Sequence, residues 1–270
     1  MQITFIGGGN MAAALAGGLA AKGYPTADIK VVEISDEARR RLTDTLGVAA
    51  CATPAEAAPF GDIVVLAVKP QQMRDAATAL RPHLRGEPVL SIAAGIRTVD
   101  LARWLGGGAR LLRCMPNTPA LVGQGIAALY AAPGVTAPER ATAQTILEAV
   151  GKAVWVDDEA LLDPVTAVSG SGPAYVFYFL EALEEAARSL GLPDPIAREL
   201  AVETFRGAAE LAARSADSAA TLRERVTSKG GTTAAALASL ADDRVKEAII
   251  RAVRAASDRG RELGVLLGKD

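Results

Sequence analysis

The sequence predicts an α/β protein in which a parallel sheet covered by helices is followed by an all-helical C-terminal part. Three observations carry this. Short β-branched runs alternate with helical stretches up to Val156. Beyond Val156 those runs vanish and apolar residues recur at helical spacing to the end of the chain. Near the start, Gly7-Gly8-Gly9 separates an apolar strand from an apolar helix.

The strands are predicted at Ile3–Ile6, Ile29–Glu33, Ile63–Ala67, Val89–Ile92, Leu111–Met115, Ile126–Tyr130 and Val154–Val156. Asp62 leads into Ile63-Val64-Val65-Leu66-Ala67-Val68, apolar on both faces as a central strand requires, and Lys69-Pro70 ends its pairing. In the second part, a helix is expected from Glu159 to a break at Gly170. Another starts with Pro173 in its first turn and carries Val176, Phe179, Leu180, Leu183, Ala187 and Leu190 on one stripe, stopped by Gly191 and Pro193. Further stripes run through Leu200, Thr204, Ala208 and Leu211, and through Val245, Ile249, Ala252, Val253 and Ala256, with Ala212–Ala220 read as a connection. The boundary is placed to give domains 1–157 and 158–270. A helical part this small, with alanine on several faces, needs a second surface to cover its stripes, and a homo-oligomer is expected; a compact cap on its own sheet domain is the alternative.

The chain has 270 residues, half of them hydrophobic, a formal net charge of −2, one histidine and two cysteines. Scattered basic residues and a near-neutral balance leave no electrostatic footprint for nucleic acid. Cys51 and Cys114 lie far apart with no ligand spacing around them, which argues against a disulfide scaffold or a metal site and for two small buried residues in a reducing compartment. No apolar run reaches the length of a membrane span, and Met1-Gln2 runs directly into the first strand without a basic, cleavable leader. A cytoplasmic protein with no membrane partner is therefore expected. His83, between Pro82 and Leu84, reads as a surface residue rather than a catalyst.

Phe5-Ile6-Gly7-Gly8-Gly9-Asn10-Met11-Ala12 fits G-x-G-x-x-A between strand and helix. In that pattern Gly7 makes the tight turn, Gly9 admits a pyrophosphate and Ala12 allows close helix packing, while the helix N-terminus offers N–H groups and its dipole. The N-terminal part is thus expected to be a Rossmann-type dinucleotide-binding domain, with Ile6, Gly7, Gly8, Gly9, Asn10 and Met11 at the cofactor; a glycine-rich turn with no ligand is the alternative. Glu33 ends the second strand and Ser35 follows it, both expected at the cofactor. Glu33 either receives a ribose 2′-hydroxyl and repels a 2′-phosphate, or is a plain solvated charge. Lys69 and the rigid Met115-Pro116-Asn117-Thr118-Pro119 loop fall at the carboxyl edge of the sheet, where such folds bind ligands. Val168–Tyr175 and Val226–Thr233 are Gly/Ser/Thr turns that open helices, suited to a carboxylate or to simple capping.

Taken with Ala67-Val68-Lys69-Pro70, these segments, in this order, resemble the pyrroline-5-carboxylate reductase family over essentially the whole chain. The resemblance implies a reductase that transfers a hydride from NADPH or NADH to 1-pyrroline-5-carboxylate, giving L-proline, the last step of proline biosynthesis. It implies Ala67, Val68, Lys69, Pro70, Ala93 and Ala94 around the cofactor, Glu159, Thr166 and Ser171 in the substrate pocket, and Gly231, Thr232 and Thr233 on the substrate carboxylate, with Thr233 near the imine nitrogen as the catalytic hydroxyl. It also implies a homodimer through the helical domain, often five dimers in a ring, a decamer. Many members carry Asn-Arg at the position of Glu33-Ile34, so weakened discrimination for NADPH and use of NADH are expected. Arg225 stands where some relatives have Asn, and no role is carried over to it. Two rival readings fit less well. A 3-hydroxyacid dehydrogenase needs a lysine that Val176–Leu190 lacks, and a non-catalytic nicotinamide sensor has no use for the Gly230–Thr233 turn.

Overall fold

The computed structural model describes residues 1–269. An eight-stranded sheet forms from β1 (Ile3–Ile6), β2 (Ile29–Val32), β3 (Ala49–Cys51), β4 (Ile63–Leu66), β5 (Val89–Ser91), β6 (Leu111–Met115), β7 (Gly125–Ala131) and β8 (Gly151–Trp155). The spatial order is β3-β2-β1-β4-β5-β6-β7-β8. Ile3 pairs with Ile29 on one side and Ile63 on the other, so the chain reverses its winding at β1. A crevice for a ligand opens at the carboxyl ends of strands at such a reversal.

Two features depart from the expected parallel sheet. β6 and β7 pair antiparallel, with Cys114 opposite Leu129, and the sheet is mixed. The edge strand β3, made of small residues, pairs with β2 although no β-branched run announces it. The strands Ile3–Ile6 and Leu111–Met115 fall where predicted, and the other predicted strands are displaced by one to three residues at their ends.

Alternation along the strands divides the core in two. Ile3, Phe5, Ile63 and Val65 join one cluster, whereas Ile6, Val64 and Leu66 join the other. Each fully buried aliphatic of this size stabilises the fold by about 1.5–3 kcal/mol before the cost of ordering it. The first cluster is covered by α1 (Asn10–Ala21) and α6 (Ala137–Glu148), and the second by α4 (Met73–Leu80) and α5 (Thr98–Trp104), through Leu15, Ile146, Met73 and Leu101. Two further helices of this unit are α2 (Asp36–Leu46) and α3 (Pro54–Ala57). Cys51, expected to be buried, is only half-buried, and both cysteines are free thiols.

From residue 159 the chain is helical. A single 3₁₀ turn at Glu159–Leu161 leads into α7 (Leu162–Val165), then a π-helical turn at Thr166–Gly170, then α8 (Gly172–Ser189). The expected break at Gly170 is instead this π turn, in which the Ser171 N–H donates to the Thr166 carbonyl at 2.8 Å. That N–H is consumed within the chain and is not offered to an anion. The helices α9 (Asp194–Arg214), α10 (Ala219–Arg225), α11 (Thr232–Asp242) and α12 (Val245–Leu267) follow. Part of the expected Ala212–Ala220 connection is therefore helical.

The chain forms two compact units, one of Met1–Ser171 with the chain from Ala255 onward, the other of Gly172–Arg254. This division into compact units falls after Ser171, and charges on Glu159 and Asp163 pair with Arg113 and Arg97 within the first unit. The second unit has almost no core of its own: its buried hydrophobic residues are Ala197 and Ala201, while Phe177, Tyr178, Leu200 and Leu211 are each more than half exposed.

Candidate active site

β1 delivers the chain to Gly7, which adopts φ +102°, a left-handed conformation that favours glycine. A Cβ at Gly7 would fall 2.8 Å from Val68 Cγ1 and 2.9 Å from the Ala67 carbonyl oxygen. One at Gly8 would lie 2.6 Å from Leu42 Cδ1. One at Gly9 would meet nothing within 4 Å, so this glycine borders open space. Gly9 is also the N-cap of α1, which no side chain caps, and the first internal bond there is Ala13 N–H to the Gly9 carbonyl at 2.9 Å. The leading N–H groups of α1, starting at Asn10 and Met11, are thereby left for an anion. This cradle fits the pyrophosphate of a dinucleotide.

The acidic residue after β2 is engaged. Glu33 accepts the Gly8 N–H on Oε2 at 2.8 Å and the Ser35 N–H on Oε1 at 2.9 Å. Ser35 in turn caps α2 by accepting the Ala38 N–H. Arg39 donates to the Glu33 carbonyl at 2.6 Å and pairs with Asp36. Beside them lies a cavity of about 360 Å³, the size of a small-ligand pocket, with Ile6, Gly7, Val32, Glu33, Ile34 and Val68 on one side and Ala52, Pro54, Gln72, Asp75, Ala76 and Ala79 completing it. Its lining includes two carboxylates and no lysine or arginine. Lys69 is exposed just past β4, Pro70 opens a 3₁₀ turn, Ala93 is buried and Ala94 half-buried after β5.

Glu159, Thr166 and Ser171 belong to this same unit. Glu159 Oε1 accepts from Arg113 Nη1 and from the Thr98 N–H, each at 2.7 Å, and Oε2 accepts from Thr98 Oγ1 at 2.9 Å. Burial lowers the pKa of the Arg113 guanidinium, and hydrogen bonding to Glu159 opposes that loss of charge. Burial likewise raises the neighbouring Cys114 thiol, which makes it no thiolate nucleophile. Thr166 Oγ1 donates to the Leu162 carbonyl at 2.6 Å. Asn117 links two predicted motifs: its Nδ2 donates to the Ser169 carbonyl at 3.1 Å, and its Oδ1 accepts the Ile126 N–H at 3.0 Å.

Gly231, Thr232 and Thr233 lie in the second unit at the start of α11. Gly230 takes φ +73°, and a Cβ on Gly231 would come 2.4 Å from Ser228 Oγ. No side chain caps α11, so its first amides keep their donor capacity. Arg225, close to this turn in sequence, is paired with Asp217.

Arg97, Thr98, Arg113 and Asp163 were not singled out from sequence, although one signal was there. Arg113 is a lone charge inside the apolar strand Leu111-Leu112-Arg113-Cys114-Met115 and is 3% exposed. A charge so placed needs a partner from elsewhere in the fold.

Residues 159–263 match the family model for pyrroline-5-carboxylate reductase dimerisation, and residues 2–95 match that for NADP oxidoreductase, coenzyme F420-dependent. The pyrroline-5-carboxylate reductase of Pseudomonas aeruginosa is 45% identical over 269 residues, covering 99% of this chain and 98% of that protein. The chain belongs to the pyrroline-5-carboxylate reductase family. A pyrroline-5-carboxylate reductase structure from Coxiella burnetii superimposes with a TM-score of 0.92 at 39% identity, covering 100% of this chain and 99% of the other. The Plasmodium falciparum pyrroline carboxylate reductase with NADP bound gives 0.88 at 28% identity over 98% of each. As a member of this reductase family, the chain is an NAD(P)H-dependent oxidoreductase, and its helical region is the family's dimerisation region. Among the described residues, no helix is long and apolar enough to cross a membrane.

Proposed function

We propose that the chain reduces the C=N bond of 1-pyrroline-5-carboxylate to give L-proline. Full-length likeness to pyrroline-5-carboxylate reductases carries this reading. A bound reduced nicotinamide would supply the hydride to the carbon of the protonated imine, whose N–H becomes the ring amine N–H of proline, leaving the nicotinamide oxidised. The chain's own task is to bind, orient and exclude water, which suits a site with no histidine dyad. The amides of Gly231, Thr232 and Thr233 would hold the substrate carboxylate at the uncapped start of α11. Thr233 Oγ1 would hydrogen-bond at the ring nitrogen, and Thr166 and Ser171 would border the ring. The decisive measurement is loss of reduced-nicotinamide absorbance on mixing the protein with pyrroline-5-carboxylate and NADH or NADPH; oxidation of neither cofactor overturns the proposal.

The finer reading is that NADH serves as well as NADPH or better. Its support is the Glu33 carboxylate held by Gly8 and Ser35 in a cavity lined by no lysine or arginine, with the Arg39 guanidinium taken up by the Glu33 carbonyl and Asp36. A 2′-phosphate there would meet charge of its own sign. For assembly, the near-absence of buried apolar residues in the second unit supports a homodimer at the least. Five such dimers in a ring are the further proposal, and light scattering that returns only dimer mass would refute the ring.

A further inference from the structure

We infer that Arg97, Arg113, Glu159 and Asp163 form a clamp that sets the spacing between cofactor and substrate. This rests on the reading above, in which Ala93 and Ala94 border the cofactor and Thr166 and Ser171 border the substrate.

Three chain segments meet in the clamp. Arg97 ends the loop that carries Ala93 and Ala94, and Thr98 opens α5 directly after it. Arg113 lies in the middle of β6. Glu159 and Asp163 belong to the turn and helix that run directly into the π turn at Thr166–Gly170. Arg97 pairs with Asp163 and reaches the Glu159 carbonyl, while Glu159 joins Arg113 to both the N–H and the hydroxyl of Thr98. The cofactor loop and the substrate segment are therefore bonded to each other in two places and to the sheet between them.

Energetics argue that stability alone does not explain the clamp. The Arg113 and Asp163 side chains are 3% and 6% exposed, and Arg113 Nε has no partner. Removing two charges of each sign from water costs several kcal/mol per ion, and well-packed apolar groups often do as well or better. What ion pairs with directional bonds supply, and apolar packing does not, is a single spacing between segments. Hydride transfer needs such a spacing, since a displacement of about 1 Å costs on the order of 10²-fold in rate. These four side chains are positioning residues: the reaction is affected through the segments they hold.

The test uses the full-length protein with variants Asp163→Asn, Arg97→Gln, their combination, and Arg97→Lys. Steady-state rates are measured with cofactor protiated or deuterated at the transferred position, beside thermal unfolding. The expected result is a fall in kcat of about 10²-fold with unchanged KM for imine and cofactor. The deuterium isotope effect on kcat should rise, the double variant should be no worse than the poorer single one, and Arg97→Lys should recover part of the rate. Wild-type kcat, or a rise in KM at constant kcat, overturns the clamp; so does a rate loss with an unchanged isotope effect. Should Asp163→Asn fail to fold, Thr98→Val removes only the hydroxyl bond to Glu159, and wild-type kcat in both Thr98→Val and Arg97→Lys overturns the proposal. A wild-type protein inactive on the imine overturns the functional reading and the clamp together, whereas active wild type with unaffected variants overturns the clamp alone.

Discussion

The carboxylate of Glu33 lies 2.8 Å from the backbone nitrogen of Gly8 and accepts its hydrogen. One residue thereby joins the end of β2 to the glycine turn after β1. The turn proposed to receive the pyrophosphate and the group proposed to choose between ribose hydroxyl and phosphate share one hydrogen bond, so under that proposal cofactor binding and cofactor choice would rest on the same few atoms.

Replacing that carboxylate should move cofactor preference. In Glu33→Asn/Ile34→Arg, a cation replaces exposed Ile34 beside the cavity, and repulsion of a 2′-phosphate is removed. A charge-assisted bond contributes about 1.5–3 kcal/mol, so the ratio of kcat/KM for NADPH over NADH should rise tenfold or more, by about that energy. Initial rates with each cofactor decide it, and an unchanged ratio would remove Glu33 from cofactor choice.

Asn117 is buried and serves as donor and acceptor at once. Asn117→Asp keeps the bond from the Ile126 N–H but sets a carboxylate oxygen against the Ser169 carbonyl. A loss of about 1–3 kcal/mol in stability is expected, together with lower kcat, because the π turn beside Ser171 loses its tether. Denaturant unfolding and steady-state kinetics report the two effects separately.

Thr233→Ala deletes the proposed hydroxyl at the imine nitrogen and leaves the backbone amides in place. The α11 turn does not depend on that hydroxyl for capping, so folding should be unaffected. The expected loss is about tenfold in kcat/KM, the worth of one hydrogen bond of about 1.4 kcal/mol. Full activity would exclude the assigned role.

The last helix returns to the sheet unit at Gly264, where a Cβ would fall 2.8 Å from the Gly95 carbonyl oxygen. Backbone cannot swing aside as a side-chain tip does. Gly264→Ala should therefore lower stability by about 1–3 kcal/mol, visible as a lower Tm, and an unchanged Tm would show that α12 can shift freely.

Glu139 supplies a dependence on pH. Partial burial acts to raise its pKa, but the Thr136 N–H and the Arg110 guanidinium at 2.5 Å outweigh this, and the net pKa is lowered. A carboxyl group whose folded pKa is below its unfolded one stabilises the fold above the unfolded value, and that contribution is lost as pH falls through the folded value. Glu139→Gln should accordingly cost about 1 kcal/mol near neutrality and progressively less in acid, as urea unfolding at several pH values would reveal.

The strands with β-branched runs, the glycine turn and the change to helical spacing after Val156 were all legible, because each is a local pattern of side chains. Strand direction was not: the alternation along β6 and β7 is the same whether they pair parallel or antiparallel. β3, built from Ala49, Ala50 and Cys51, carries too little side chain to signal a strand, and it exists because β2 offers it an edge. The π turn at Thr166–Gly170 differs from an α turn by one residue per bond, below what apolar spacing resolves.

The linear sequence by itself determined the class of fold, the place of the glycine turn after β1 and the family, since these reside in short motifs whose meaning is local. Tertiary structure alone decided that Glu33 would be held by Gly8, that Asn117 would tether the π turn, and that Glu159 would face Arg113 instead of standing free. Those partners lie 25, 52 and 46 positions apart. Charges and hydrogen-bonding groups carry no period that names a distant partner; only the requirement that a buried polar group be paired selects one, and that requirement acts once the sheet has brought the segments together.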